Sequence, residues 1–167
     1  MMDKYRIGYG NDIHRFAPYR PLFLCGCKIP CRLGGLLGHS DADAPVHAVI
    51  DALLGALCLG DIGHFFPDTD PEFENASGEM LISRTLALPE FQGWELANLD
   101  MTIMAEEPKL APHIQAMRES LAALLKTDVS RVSIKAKTGE GIGIVGRCEA
   151  IDTRVVLLLR RKDDAKD

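Results

Sequence analysis

The sequence lacks the features that mark several large classes of protein. No apolar stretch reaches 18 residues, and residues 1–6 lack the apolar core of a signal peptide. We therefore expect no membrane partner and no secretion, and we expect a cytoplasmic location. Lys and Arg number 19 against 24 Asp and Glu, there is no basic block, and there is a single Trp. The resulting net charge of −5 argues against a nucleic-acid partner.

Cysteine is scarce and poorly spaced for cross-links. The five cysteines are an odd number for a disulfide framework and include no Cys-x2-Cys pair of the kind that structural zinc sites favour: Cys25, Cys27, Cys31, Cys58 and Cys148. We therefore expect reduced thiols. A soft-metal clip at Cys25, Cys27 and Cys31 is an alternative, but small apolar residues around a short hairpin are the favoured interpretation.

Apolar residues form 47% of the 167 residues, so we expect one core and no second catalytic module. Apolar steps of three and four predict helices over 44–59, 78–88 and 112–125. Strands are predicted over 5–9, 22–29, 94–104, 132–135 and 150–159. The expected fold is α+β, with helices packed on one face of a mostly four-stranded mixed sheet. Residues 1–160 form the expected single domain, and residues 161–167 form an expected frayed, charged tail.

Metal-ligand side chains occur at two places that the predicted elements bring together. Asp12 and His14 close the first strand, where positions i and i+2 point to the same side. The spacing of four places Asp43, His47 and Asp51 on one face of the first helix. Helix capping explains Asp43, but it does not explain His47, which lies beyond the cap.

Asp12, His14 and His47 together supply two imidazoles and one carboxylate. This donor set suits a four-coordinate zinc ion that keeps one position open for a substrate. Asp51 lies one turn beyond His47, and we expect it to accept the spare imidazole N–H and orient the ring.

Three further segments could bind a ligand, and each also has a purely structural interpretation. Residues 60–71 are an acidic, aromatic loop or simply a turn-rich connection. Residues 105–110 open a helix whose free N–H groups and Lys109 could meet an anion or a base. Residues 135–147 combine glycines with Thr138, Glu140 and Arg147, which suits phosphate or a hard cation, but they lack the ending of a P-loop.

These motifs, taken in order, resemble one enzyme family. The segments are Arg6-Ile-Gly-Tyr-Gly-Asn-Asp-Ile-His14, Leu37-Gly-His-Ser-Asp-Ala-Asp43 with His47, and those at 51–56, 59–63, 66–70 and 108–110. The set resembles the 2-C-methyl-D-erythritol 2,4-cyclodiphosphate synthase family over about residues 5–159. The resemblance implies a phosphorus–oxygen lyase of the methylerythritol phosphate route to isoprenoids. Its reaction cyclises 4-diphosphocytidyl-2-C-methyl-D-erythritol 2-phosphate and releases CMP.

The resemblance also implies the cofactors, the assembly and the site. Zinc is expected on Asp12, His14 and His47, and magnesium (or manganese) on Glu140, in a homotrimer whose active sites lie between subunits and take a cytidine diphosphate substrate. The catalytic residues implied are His39 and Thr138, which hold the transferring phosphoryl group. The substrate-binding residues implied are Asp12, His14, His39, Ser40, Asp61, Ile62, Gly63, Phe66, Pro67, Asp68, Thr69, Asp70, Ala105, Pro108, Lys109, Leu110, Ala111, Lys137, Thr138, Glu140, Ile144 and Arg147.

Two departures from the family pattern and two rival functions remain at this point. Lys137-Thr138-Gly139-Glu140 stands where the family commonly has Thr-Thr-x-Glu, and Ile144 stands where an aromatic residue is often found. One rival is a zinc-dependent phosphoester hydrolase that uses metal-bound water. The other is an isoprenoid-diphosphate-binding trimer with a structural metal. Linear or cyclic products would separate the hydrolase from the synthase.

Overall fold

The computed structural model describes residues 4–162. The strands are β1 (Tyr5–Ala17), β2 (Leu22–Leu24), β3 (Cys27–Ile29), β4 (Gly35–Leu36), β5 (Trp94–Met104), β6 (Val132–Lys137) and β7 (Ala150–Arg161). The α-helices are α1 (Ala44–Ala56), α2 (Ile62–Phe65), α3 (Gly78–Leu86), α4 (Ile114–Leu124) and α5 (Gly143–Gly146). Short 3-10 turns cover Pro71–Phe73, Pro89–Phe91, Ala111–His113 and Val129–Arg131.

The main sheet is mixed and has the strand order β4-β1-β7-β5-β6. β7 is antiparallel to both β1 and β5, whereas β5 and β6 are parallel. The expected α+β class is confirmed, but the expected four strands become five, because Gly35 and Leu36 pair with the end of β1. β2 and β3 form a separate hairpin that turns at Cys25 and Gly26, as the pattern predicted.

Several element ends differ from the sequence prediction for identifiable reasons. β1 continues past residue 9 to Ala17. The prediction ended early because the later residues of the strand alternate in burial and include polar side chains, so they form no apolar run. Helix α1 ends at Ala56 rather than at residue 59, because Cys58 adopts a left-handed φ of 59° that closes the helix. The acidic loop of residues 60–71 contains the short helix α2, and the glycine-rich residues 135–147 contain the short helix α5. No helix was predicted in either segment.

The C-terminal boundary also needs a correction. β7 runs to Arg161, which pairs with Trp94, and its guanidinium lies 4.6 Å from the centre of the Trp94 ring. The backbone N–H of Lys162 donates to the carbonyl of Gly93. Residue 161 therefore belongs to the sheet and not to a tail, and residues 163–167 of the expected tail lie outside the described residues.

Helix α1 lies directly on the backbone of β1. A Cβ atom added to Gly8 would come within 1.8 Å of the carbonyl oxygen of Ala52, and one added to Gly10 within 2.0 Å of that of Ala48. No side chain can therefore fit between strand and helix at these two positions. The close contact brings the first turns of α1 against the next residues of the strand, where Asp12 and His14 lie.

The start of α1 is anchored by a buried carboxylate. Asp43 is fully buried and caps the helix by accepting the N–H of Val46 at 3.1 Å. The same carboxylate accepts the N–H groups of Cys25 at 2.9 Å and Gly26 at 2.6 Å. Burial raises the pKa of Asp43, and its backbone donors oppose that rise. Asp43 thus joins the β2–β3 hairpin to the helix that carries His47.

The helices leave the opposite face of the sheet open in the described chain. The large apolar side chains exposed there include Tyr5, Ile7, Tyr9, Ile13 and Val156. β7 is buried on one face, since Val155, Leu157 and Leu159 lie on the helix side.

The remaining expectations concern the cysteines and the membrane. The five cysteines are free thiols, and the Sγ atom of buried Cys25 lies 3.9 Å from the Sδ atom of Met101. Between residues 4 and 162, no helix combines the length and apolar character needed to cross a bilayer. The cytoplasmic location stays a prediction.

The contact between α1 and β1 predicts that Gly10→Ala lowers the free energy of unfolding by about 2–4 kcal/mol, because strand and helix must separate to admit the methyl group. Gly55→Ala is the matched control. Its added Cβ would lie 3.8 Å from the carbonyl oxygen of Tyr9, so this helical substitution should be neutral or stabilise by up to about 1 kcal/mol. Urea unfolding of both variants measures the difference, and equal effects would contradict the packing.

Candidate functional site

Three potential ligand atoms converge where β1 meets α1, and we call this group the metal cluster. The Oδ2 atom of Asp12 lies 2.9 Å from Nε2 of His14 and 3.1 Å from Nδ1 of His47. The two ring nitrogens are 3.3 Å apart. A tetrahedral ion with bonds of 2.0–2.1 Å separates its ligand atoms by about 3.3 Å, so the spacing fits a zinc-sized ion. The convergence predicted from the sequence is confirmed.

The outward-facing ring atoms of both histidines have their own partners. Nδ1 of His14 lies 2.6 Å from the carbonyl oxygen of Leu37, so we assign its proton there. Nε2 of His47 lies 3.0 Å from Oγ of Ser40, and we assign the second ring proton to that nitrogen. These assignments turn two nitrogen lone pairs and a carboxylate towards one another. In this protonation pattern a cation between the three groups, either a proton or a metal ion, would offset their mutual repulsion.

The pKa shifts of Asp12 and His14 also favour a positive charge in the cluster. Burial opposes ionisation of Asp12, but hydrogen bonds with His14 and His47 outweigh it and hold the pKa of Asp12 well below its usual range. Burial also opposes the charged form of His14, but the hydrogen bond and the charge of Asp12, with the Leu37 carbonyl, together outweigh burial and raise the pKa of His14. The site therefore favours a positive charge on His14 beside an ionised Asp12 carboxylate.

The expected role of Asp51 is wrong. Its Oδ1 atom accepts the N–H of Ile62 at 2.8 Å, so it holds the start of α2 and does not orient His47. Burial raises the pKa of Asp51, and the charge of Asp61 adds to that rise. The histidines are instead oriented by Leu37 and Ser40. The role of Leu37 could not be predicted from the sequence, because its backbone carbonyl, and not its side chain, binds the His14 ring.

A cavity of about 380 Å³ opens beside the metal cluster. The predicted site residues that line it are Asp12, His14, His39, Ser40, His47, Asp51, Ile62, Gly63, Phe66, Pro67, Asp68 and Thr69. Asp61 and Asp70 adjoin this set but do not line the cavity. Their carboxylates accept the N–H groups of His64 and Glu72 and so cap the short helical turns of the loop.

A second group forms where the parallel strands β5 and β6 end, and we call it the strand-end cluster: residues 105–111 with 137–140. The N–H of Ala105 donates to the carbonyl of Lys137 at 2.9 Å. The Glu106 carboxylate accepts the N–H of Gly139 at 3.0 Å, and the Thr138 hydroxyl donates to the carboxylate of Glu140. Two segments that the sequence predicted separately are thus one unit.

None of the strand-end residues lines the cavity of the metal cluster. The register runs from Asp12 to Thr153 on β7, then to Ile103 on β5 and Ala136 on β6. Both clusters therefore lie at one end of the sheet, with β1 and β6 about 14 Å apart across three strand spacings. In the described chain the two clusters therefore do not share one pocket.

The last two predicted residues lie beyond both clusters. Ile144 is in α5 with its side chain exposed. Arg147 follows that helix and forms an exposed ion pair with Glu149, with Nε to Oε1 at 2.7 Å. Neither residue contacts the metal cluster in the described chain, so their predicted ligand contacts stay predictions.

Comparisons with known proteins show the family to which the chain is related. A model of the YgbB family matches residues 5–160. A 2-C-methyl-D-erythritol 2,4-cyclodiphosphate synthase from Shewanella baltica is 48% identical over 161 residues, which are 96% of this chain and 99% of the relative. A solved synthase structure with CDP bound is 42% identical, with a TM-score of 0.83, over 92% of this chain and 99% of that one. The bifunctional IspDF of Campylobacter jejuni is 39% identical, with a TM-score of 0.86, over 96% of this chain and 43% of that longer chain.

The site geometry predicts different effects for two carboxylates that share the cavity. Asp12→Asn should lower the affinity for Zn²⁺ at least about 100-fold, because it removes the charged ligand atom that both histidines face. Asp51→Asn should retain zinc, because Asp51 holds Ile62 instead. Zinc titration by calorimetry, with the metal content of dialysed protein as a check, distinguishes the variants. Loss of zinc from Asp51→Asn alone would overturn the assignment.

Proposed function

The chain belongs to the YgbB family, and we propose that it acts as a 2-C-methyl-D-erythritol 2,4-cyclodiphosphate synthase of isoprenoid biosynthesis. The observation that carries the proposal is the convergence of Asp12, His14 and His47 in a cavity that has the family's His-Ser pair on its wall. The substrate would be 4-diphosphocytidyl-2-C-methyl-D-erythritol 2-phosphate. The products would be the cyclic 2,4-diphosphate and CMP, which makes the enzyme a phosphorus–oxygen lyase.

The chemistry needs alignment more than it needs a protein nucleophile. An oxygen of the substrate's own 2-phosphate bonds to the β-phosphorus while the bond from that phosphorus to the oxygen bridging to CMP breaks. Atoms balance without water, and CMP carries away the electron pair of the broken bond. The protein must hold the two phosphates in line and neutralise the charge that moves between them.

Two metal ions fit the donor sets of the two clusters. Asp12, His14 and His47 would hold zinc, and Glu140 would hold magnesium (or manganese), which commonly binds one or two carboxylates together with substrate phosphates. When bound, the ions supply the positive charge that neutralises phosphate oxygens and lets the leaving phosphate depart. Two imidazoles and one carboxylate are a donor set that catalytic zinc ions use, with the fourth position left for the substrate.

The chain's own side chains would hold the substrate. His39, on the cavity wall, and Thr138, in the strand-end cluster, would donate hydrogen bonds to the transferring phosphoryl group. Asp61, whose carboxylate also caps α2, would accept the methylerythritol hydroxyls. The main chain of residues 105–111 would bind the cytidine. The CDP-bound relative supports a cytidine diphosphate ligand.

We propose a homotrimer with active sites between subunits, because the two clusters of one chain do not share a cavity. The exposed apolar side chains of β1 and β7, including Ile7, Tyr9 and Val156, offer an interface on the open face of the sheet. A neighbouring subunit could then place its strand-end cluster opposite the metal cluster. Arg147 would bind an anion in the central channel of such a trimer.

Phosphorus NMR tests the reaction directly. Protein mixed with the diphosphocytidyl substrate and Mg²⁺ should release CMP and a cyclic diphosphate in equal amounts, and removal of zinc with a chelator should slow both. Linear phosphates in place of the ring would identify a phosphoester hydrolase. Binding of isoprenoid diphosphates without turnover would identify a binding trimer.

Mixed oligomers test the location of the active site. His47→Ala and Glu140→Gln should each lower turnover at least about 100-fold as pure proteins, because each removes a metal ligand. Subunits of the two variants, exchanged and reassembled, should recover part of the wild-type rate, because some interfaces then pair an intact metal cluster with an intact strand-end cluster. Two variants of the same cluster, His47→Ala and Asp12→Asn, are the control and should not recover. Recovery in neither mixture would place each active site within one subunit.

A further inference from the structure

The loop that carries His39 and Ser40 is fastened on two sides. On one side the N–H of Asn75 donates to the carbonyl of His39 at 2.9 Å, and Asp41 accepts the N–H of Gly78 at 2.7 Å. On the other side stands the guanidinium of Arg20, from the turn between β1 and β2. Its Nη1 donates to the carbonyl of Gly38 at 3.1 Å and its Nη2 to that of Ser40 at 2.8 Å.

We propose that Arg20 is a positioning residue for the reaction, acting through His39 and Ser40 without touching the substrate. This inference rests on the proposed function, in which His39 holds the transferring phosphoryl group. Neither the family resemblance nor the cavity lining assigned a role to Arg20. The argument comes from where its two hydrogen bonds fall.

The two carbonyls lie on either side of a two-residue segment, His39 and Ser40. The Gly38 carbonyl belongs to the peptide unit that enters His39, and the Ser40 carbonyl belongs to the unit just after Ser40. A planar guanidinium that bonds both carbonyls limits rotation of the backbone between them. Because the guanidinium is half-buried, water competes less for these carbonyls than it would on an open surface. The direction in which the His39 side chain leaves the backbone is thereby restricted.

The same fork acts on the metal cluster through Ser40. The Ser40 hydroxyl is the partner of Nε2 of His47, and it is buried. The hydroxyl also accepts the N–H of Ala42 at 3.2 Å, so its position depends on the local backbone. Arg20 therefore fixes both a phosphate-binding side chain and the group that orients a metal ligand.

Arg118 offers a matched control for this interpretation. Its Nε donates to the carbonyl of Val132 at 2.8 Å and its Nη2 to that of Val129 at 3.1 Å. It is also half-buried, but it joins α4 to the start of β6, and it lines no part of the metal-cluster cavity. Removing Arg118 breaks the same kind of fork without touching the His39 loop.

The experiment compares Arg20→Ala, Arg20→Lys and Arg118→Ala in the full chain loaded with zinc and magnesium. For Arg20→Ala we expect kcat at saturating substrate to fall about 10-fold to 100-fold, the range expected for lost charge-assisted hydrogen bonds. Amide hydrogen exchange over residues 38–42 should accelerate at least about tenfold. Arg20→Lys should lie between, because an ammonium cannot bond both carbonyls in the same planar geometry. Arg118→Ala should leave kcat and this exchange within about twofold of wild type.

Two readouts separate the possible failures. If Arg20→Ala lowers the melting temperature as Arg118→Ala does but leaves kcat and exchange over residues 38–42 unchanged, Arg20 is structural and the proposal is overturned. If wild-type protein forms no cyclic product, the proposed function fails, while exchange and zinc affinity still report whether Arg20 holds the loop. If Arg20→Ala does not fold, Arg20→Lys decides by the same two measurements.

Discussion

The direct contact between helix α1 and strand β1 is the constraint on which the site depends. Gly8 and Gly10 leave the carbonyl oxygens of the helix against the strand backbone, with no room for a side chain between them. The next two inward positions of the strand are Asp12 and His14, and the facing helix position is His47. A wider spacing at the glycines would pull these three side chains apart. The contact between α1 and β1 therefore both packs the core and positions the three side chains of the metal cluster.

That contact brings a carboxylate and two imidazole nitrogens close together, and a cation between them would be stabilised. Hydrogen bonds from Leu37 and Ser40 occupy the outer ring nitrogens and turn the inner ones towards the ionised Asp12. The fold holds these groups rigidly, since the loop of Ser40 is fastened by Arg20 and by residues 75–78. A preorganised donor set of this kind would let the charge of a bound ion act on substrate phosphates without rearrangement of the protein.

The local periodicity of the sequence was enough to predict some parts of the site, but other parts depend on long-range contacts that the sequence does not reveal. A spacing of two on a strand and the position of His47 on a helix were enough to predict the metal cluster. The same reasoning misplaced Asp51, because helical spacing gives the face but not the partner, and the N–H of Ile62 takes its carboxylate. Arg20 had no signal, because its partners are backbone carbonyls 18 and 20 residues away. The separation of the metal cluster from the strand-end cluster could be seen only from the register of the whole sheet.

X-ray absorption at the zinc edge tests the central claim most directly, because it reads the ligand atoms themselves. For zinc-loaded protein the account predicts nitrogen and oxygen neighbours at about 2.0–2.1 Å, with the multiple-scattering signature of two imidazoles and no sulfur. Asp12→Asn should lose this spectrum. A sulfur shell at about 2.3 Å would place the ion on Cys25, Cys27 and Cys31 instead and would contradict the account.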